Sequence, residues 1–270
     1  MNIAIDLTQL KQLQLEIMDF FDKWCRSQGI TYFITAGTLI GALRHKGFIP
    51  WDDDIDIVML RKDYELFVEL FSRGDTGKYR LYAYETNEDC IYPYAKVYDS
   101  DTVLIEGNER VSPKIGVNID IFPLDNATSD YEMAVQMKKE IKPYNVILGI
   151  KSLDNANRGF KKNIVVWALR CVAAPFSFSW LIKRIINKSK KYISDDESKY
   201  VINSVIYAKG EREILEREWF KDTIELEFEG RSYLAPIGAD QYMKRLFGDY
   251  LTLPPEEKRI SHHRFYAYFK

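Results

Sequence analysis

The sequence predicts an α/β (α+β) fold, with strands and helices sharing one core. Three observations carry this. A long amphipathic stretch opens the chain, two strand-like segments flank a glycine turn soon after it, and several short β-branched or aromatic runs follow. Length, at 270 residues, exceeds the usual size of one domain without clearly reaching two, which predicts a single elaborated domain or a core with a smaller appendage. Hydrophobic residues make up 46% and charged residues 29%, a mix that excludes disorder, collagen and a polytopic membrane protein. With 38 basic and 40 acidic side chains the net charge is −2, so no overall basic field points to nucleic acid.

Taken in order, residues 7–28 place Leu7, Leu10, Leu13, Ile17, Phe20, Phe21 and Trp24 at helical spacing, with Gly29 as the stop. Residues 30–35 are β-branched and aromatic, hence a strand. Gly37-Thr38 breaks it, and 39–46 forms a short helix closed by Gly47. A strand is expected over 54–60 and a helix over 63–71. Further strands are expected at 79–84, 92–98, 102–106 and 117–122, the last ending at Pro123. Cys25, Cys90 and Cys171 are odd in number and far apart, which argues against a disulfide framework or zinc site and for a reducing compartment. The first residues show no basic segment followed by an apolar run, so the expected location is the cytoplasm.

The stretch 155–194 contains no Asp or Glu, and bases such as Arg158, Lys162, Lys183 and Lys191 frame a mostly apolar run over 164–182. Arg170 and Pro175 interrupt that run, which argues against a bilayer-spanning helix of about 20 apolar residues. Two readings stand: helices packed on the core with basic ends in water, or a membrane-surface element with bases on anionic headgroups.

The segment Gly47-Phe48-Ile49-Pro50-Trp51-Asp52-Asp53-Asp54-Ile55-Asp56-Ile57-Val58 is the most informative. Its carboxylates are embedded among apolar residues, unlike a solvated charge run. Alternation on a strand would put Asp54 and Asp56 on one face, with Ile55 and Ile57 pointing into the core. Two carboxylates on one half-buried face repel unless a cation lies between them, and a hard, oxygen-seeking ion such as magnesium or manganese suits the position. An acidic turn capping the next helix is the plainer alternative. A calcium loop fails, because the required glycine falls on Ile57 and the twelfth position is Asp63 rather than Glu.

Upstream, Gly37 and Thr38 stand where a strand gives way to a helix, a place where free N–H groups and close backbone approach suit a phosphate. By itself this is a weak motif, matching neither GxGxxG nor GxxxxGK; its meaning comes from the acids that follow. Asp120, alternating with Ile119 and Ile121, offers a third carboxylate and a candidate base, or else a strand-end residue facing solvent. Together these parts form a kit for phosphoryl transfer.

The run from Tyr32 through Thr35-Ala36-Gly37-Thr38-Leu39-Ile40-Gly41 and Asp52-Asp53-Asp54-Ile55-Asp56 to Ile57 resembles the signature of the LicD family, as do Asp120-Ile121-Phe122-Pro123-Leu124-Asp125 and the ending Phe247-Gly248-Asp249-Tyr250 with His262-His263. The resemblance leaves 130–225 unanchored. It implies a nucleotidyltransferase-like core with a mixed sheet and flanking helices: a catalytic part over 1–125, a basic and apolar helical insertion over 126–200, and a C-terminal part over 201–270 completing the site. It further implies an enzyme, a metal-dependent phosphotransferase that moves phosphocholine from CDP-choline to a lipid-linked cell-surface glycan precursor of teichoic acid type, releasing CMP. A nucleotidyltransferase, a transferase of another phospho-alcohol, and a catalytically silent glycan- or membrane-binding module are the alternatives.

Under this reading Asp54, Asp56 and Asp120 hold the metal, and Gly37, Thr38, Arg44 and Lys96 meet the donor phosphates. Arg44, with His45 and Lys46, is equally readable as an exposed helix end, and Lys96 as a strand lysine facing water. His262 and His263 are donor-pocket candidates or structural residues, and only one of two strand neighbours can enter the site. For a quaternary ammonium cage, Tyr92, Tyr94, Trp219, Tyr250 and Tyr266 are available, and the sequence does not choose among them. Peripheral membrane contact through 155–194 at the inner membrane face completes the expectation.

Overall fold

The computed structural model describes residues 3–107, 111–153, 160–192, 194, 197–206, 208–260 and 265–270. A short strand β1 (Ile3–Ala4) leads into helix α1 (Leu7–Gln28), then β2 (Phe33–Ile34), α2 (Ala36–His45), β3 (Asp56–Leu60) and α3 (Arg61–Arg73). Strands β4 (Tyr79–Tyr82), β5 (Ala95–Asp99), β6 (Thr102–Glu106) and β7 (Asn118–Asn126) follow. Three helices come next, α4 (Tyr131–Ser152), α5 (Phe160–Ala173) and α6 (Phe178–Ser189). The chain closes with β8 (Tyr200–Asn203), β9 (Ile214–Glu216), the hairpin β10 (Thr223–Phe228) and β11 (Arg231–Pro236), helix α7 (Ala239–Phe247) and β12 (Phe265–Phe269). This is the α+β architecture that the sequence predicts.

The main sheet is mixed, in the order β2-β3-β7-β5-β4, with β8 on β7 and β9 on β8. Its only parallel neighbours among the described strands are β3 and β7, and their register sets Asp56 directly opposite Asp120. A second sheet, β1-β12-β6, brings the end of the chain beside its beginning. Helix α1 buries Leu10, Leu13, Ile17 and Phe21 against the main core. Its start is fixed by a capping box of Asp6 and Gln9, and its stop by Gly29 in the left-handed region at φ 68°.

Several boundaries differ from the sequence reading, for physical reasons. Strand β3 starts at Asp56, so Asp54 lies in the loop before it rather than on the strand face. Helix α2 starts at Ala36, because that alanine takes φ 45° and turns the chain straight from β2 into the helix. Strand β7 runs through Pro123 to Asn126. Asp120 N–H donates to the Ile55 carbonyl, so alternation aims the Pro123 nitrogen at the other edge. There β5 pairs end at Ile121 and β8 pairs begin at Leu124, so the missing donor falls in a gap. The remaining differences trim or extend ends: β2 is shorter than 30–35, α3 longer than 63–71, and β4 and β5 cover 79–82 and 95–99.

Buried ion pairs stitch the layers. Arg61 Nε donates to Asp125 Oδ1 at 2.6 Å with the side chains 1% and 0% exposed. Lys138 on α4 meets Glu213 Oε2 at 2.5 Å and the Asn203 carbonyl at 2.6 Å, tying that helix to the C-terminal part.

Between α5 and α6 the chain bends by 75° near Pro175. Among the described residues no single helix is long and apolar enough to cross a membrane, although this bent pair passes by length and composition. Helix α6 packs with α4 and buries Leu181, Ile182, Ile185 and Ile186. Helix α5 does not hide its apolar residues: Trp167 is 67% exposed and Val172 70%.

Candidate active site

The site is built where the β3/β7 pair meets α1, β5 and β6. A cleft of about 480 Å³ opens there, with Asp53, Asp54, Asp120, Lys96, Asn118 and Glu106 among its polar lining. Parallel register puts the Asp56 and Asp120 side chains on the same face of adjacent strands, about 4.8 Å apart along the hydrogen-bonding direction. Asp54 reaches the cleft from the preceding loop, and Ile55 and Ile57 are buried as the sequence predicts.

Burial, followed by the charges of Asp54, Asp120 and Asp52, holds the Asp56 carboxyl well above the ordinary carboxylate range. Burial likewise pushes Asp120 up to about 6, against the opposing pull of Lys96. Lys96 is 3% exposed and faces the cleft from β5, one strand away from Asp120 in register. Its Nζ lies 2.7 Å from Asp120 Oδ1 and 3.4 Å from Glu106 Oε1, and donates to Asn118 Oδ1 at 3.2 Å.

The glycine turn touches the acids rather than the cleft interior. A Cβ on Gly37 would lie 2.1 Å from Asp52 Oδ2, so only glycine lets that carboxylate approach the start of α2. Asp56 N–H donates to Thr38 Oγ1 at 2.9 Å, and Thr35 N–H donates to the Asp56 carbonyl at 3.0 Å. Ala36 stores strain between them in the left-handed region, a position that persists because these bonds fix both sides. Gly37 and Thr38 thus belong to the scaffold that holds Asp52 and Asp56.

Arg44 stands apart from the cleft lining. Its Nη1 donates to the Tyr250 carbonyl at 2.7 Å and its Nε to His45 Nε2 at 2.9 Å. His262 and His263 lie outside the described residues, although Phe265, two positions on, lines the cleft.

Two contributors were not anticipated. Gln14 of α1 is 4% exposed, and its Nε2 donates to the Asp53 carbonyl at 3.0 Å and the Asn118 carbonyl at 3.3 Å. It clamps the two acid-bearing segments together, while its Oε1 has no hydrogen-bond partner among the described residues. The signal was present: a glutamine on the apolar stripe of Leu10, Leu13 and Ile17 has no reason to be buried without polar work. Glu106, at the end of β6, had no such signal: its place 3.4 Å from Lys96 and opposite Phe265 of β12 is set by how the strands meet.

Asp54 and Asp120 both raise the pKa of Asp56, and Asp54 also raises that of Asp120, and such crowded carboxylates are the donor set a hard divalent cation favours. Among the described residues no three acid, histidine or cysteine side chains yet converge on one point, and Asp120 is turned to Lys96. The chemistry of the set therefore fits such an ion, with the carboxylates gathered but not closed.

Residues 29–147 match the LicD family, described as the LicD/FKTN/FKRP nucleotidyltransferase domain. Over 268 residues the chain is 32% identical to the lipopolysaccharide cholinephosphotransferase LicD of Haemophilus influenzae, covering 98% of each protein. Shorter similarities reach uncharacterised proteins of two further bacteria: Rickettsia typhi, 34% over 76 residues, which is 28% of this chain and 25% of the other, and Rickettsia prowazekii, 56% over 34 residues, 13% of each. With both signature acid segments present in the core they build, and the likeness sustained from end to end, the chain belongs to the LicD family.

Proposed function

We propose that this protein is a phosphotransferase that moves phosphocholine from CDP-choline to a hydroxyl of a cell-surface glycan precursor and releases CMP. The observation that carries the reading is the in-register pairing of Asp56 with Asp120 beside an acid-lined cleft, in a chain whose full-length relative is named a cholinephosphotransferase. The resemblance of the motifs points to a teichoic acid type of acceptor, whereas the Haemophilus protein is named for lipopolysaccharide. A glycan hydroxyl is what the two share.

Asp54, Asp56 and Asp120 would hold a magnesium or manganese ion, which when bound offsets the charge of a diphosphate. The chain's own residues do the rest. Asp120, at the cleft wall, accepts the proton of the acceptor hydroxyl as its oxygen bonds to the choline-bearing phosphorus. The bond from that phosphorus to the CMP oxygen breaks, and CMP leaves with the electron pair. Lys96 holds Asp120 at 2.7 Å and adds positive charge beside the phosphates. Gln14 keeps the Asp53 and Asn118 segments together so that the acids share one face.

Membrane contact through 155–194 is part of the same proposal. Helix α5 exposes Ile164, Val165, Trp167 and Val172, and its Arg170 donates to the Leu153 carbonyl at the cleft rim. An interfacial helix there brings a lipid-linked acceptor next to the acids, at the cytoplasmic face of the membrane.

The test is CMP release from CDP-choline with a glycan acceptor and magnesium. Wild type is expected to release CMP, and Asp56→Asn to lose at least about a thousandfold in rate. A second reading, attack on the α-phosphate of a nucleoside triphosphate, is favoured by the description of the matched domain, and would yield pyrophosphate instead. Pyrophosphate from a triphosphate, with no CMP from CDP-choline, overturns the first reading.

A further inference from the structure

We infer that the cleft wall formed by Tyr94, Glu106 and Phe265 is the subsite for the quaternary ammonium group of the donor. The inference rests on the proposed donor carrying choline, and it assigns the part of the cleft that the phosphate chemistry leaves unexplained.

The second sheet supplies two of the three residues. β6 and β12 pair antiparallel with Glu106 opposite Phe265, so both side chains leave the sheet on one face. Leu104, two residues before Glu106, shares that face, and all three line the cleft. Tyr94 lines it from the main sheet, just before β5 and on the side of Lys96. Among the described residues, Tyr94 and Phe265 are the aromatic members of the lining. The other aromatic candidates go elsewhere. The Trp219 side chain packs on Gly238, the Tyr250 hydroxyl donates to Asp240, and Tyr266 lies on the opposite face of β12, 58% exposed. Tyr92 is buried beneath Lys96.

Chemistry favours a cation without N–H groups at this wall. A trimethylammonium gains from aromatic faces and a nearby carboxylate, and needs no hydrogen-bond acceptor. The chain already stations an ammonium of its own against the same groups: Lys96 Nζ lies 4.8 Å from the Tyr92 ring centre, 5.8 Å from that of Tyr94 and 3.4 Å from Glu106 Oε1. Glu106 remains 33% exposed toward the opening, so its carboxylate serves both the lysine and an incoming cation. The lining also places Asp53, Asp54, Asp120 and Glu106 against Lys96, which leaves the cleft with an excess of negative charge.

Binding of CDP-choline and of CDP-glycerol, whose alcohol carries no charge, measured by titration calorimetry on the full chain in magnesium, tests this. Wild type is expected to prefer CDP-choline. Glu106→Gln and Phe265→Leu should each reduce that preference roughly 3- to 30-fold and leave CDP-glycerol within about twofold, as loss of one cation contact predicts. Phe265→Leu keeps the Glu106–Lys96 pair, and Phe265→Tyr should restore the preference, so a fold defect is separable from a lost subsite. Variants that keep the wild-type preference overturn the subsite while the donor reading stands. A wild type that binds both ligands alike overturns the donor reading and the subsite with it.

Discussion

At Asp56, burial and three neighbouring carboxylates all oppose ionisation, and the chain spends stability to keep the charge there. A carboxyl whose folded pKa is raised stabilises the fold below its unfolded value near 4, and that contribution is lost as pH rises through the folded value. Asp120, pushed up to about 6, behaves the same way. Metal-free wild type should therefore lose thermal stability relative to Asp56→Asn as pH rises above about 4, and the two should converge below pH 4. Magnesium should raise the melting temperature of wild type at pH 7.5 more than at pH 5, and that of the variant far less. Melting curves that superimpose for both proteins across this range, with and without magnesium, would show that these carboxylates carry no mutual strain.

At the scale of elements, the glycine turn, the acid loop and the C-terminal hairpin support one another. The turn between β10 and β11 holds Glu229 and Gly230 at φ 52° and 70°, which suits the right-handed twist of a hairpin. Glu229 N–H donates to the Lys46 carbonyl at 2.8 Å, and its Oε1 accepts from Phe48 N–H at 3.0 Å. The hairpin tip thus pins the residues that lead into Asp52, a contact between positions some 180 residues apart. Helices α5 and α6 divide the basic stretch: α6 packs, while α5 keeps its apolar residues outward. Trp167→Ser with Val172→Ser should weaken binding to anionic vesicles at least roughly tenfold, since two buried apolar side chains contribute about 3 kcal/mol or more together. Charge reversal of Lys183 and Arg184 should weaken the remaining binding and reduce its salt dependence. Vesicle sedimentation unchanged by both sets of substitutions would return α5 to the role of a packing helix.

For the whole molecule, buried charge ties the helical stretch to the end of the chain. Lys138 is 2% exposed and pairs with Glu213, which also accepts from the N–H groups of Ala208 and Lys209 at 3.2 and 3.0 Å. Burial lowers the Lys138 pKa, and Glu213 opposes that shift. Glu213→Ala removes the carboxylate bonded to a buried ammonium and should cost about 3–5 kcal/mol in denaturant unfolding, while Glu213→Ala with Lys138→Met recovers most of it. A single variant as stable as wild type would mean that water already screens the pair.

Local pattern alone determined much of this protein. The apolar period of α1 with its stop at Gly29, the buried Ile55 and Ile57 between acids, and the strand character of 102–106 and of the segment around Asp120 follow from side-chain chemistry over a few residues. Tertiary structure decided what those residues face. Parallel register matched Asp56 to Asp120, a gap between β5 and β8 admitted Pro123, and pairing of β6 with β12 set Phe265 opposite Glu106 at the cleft. Lys96, readable as a solvent-facing lysine, became the buried partner of Asp120 for the same reason. Periodicity fixes which way a side chain leaves its own strand, but a neighbour's identity depends on pairing across scores of residues, and no short stretch of chain encodes that.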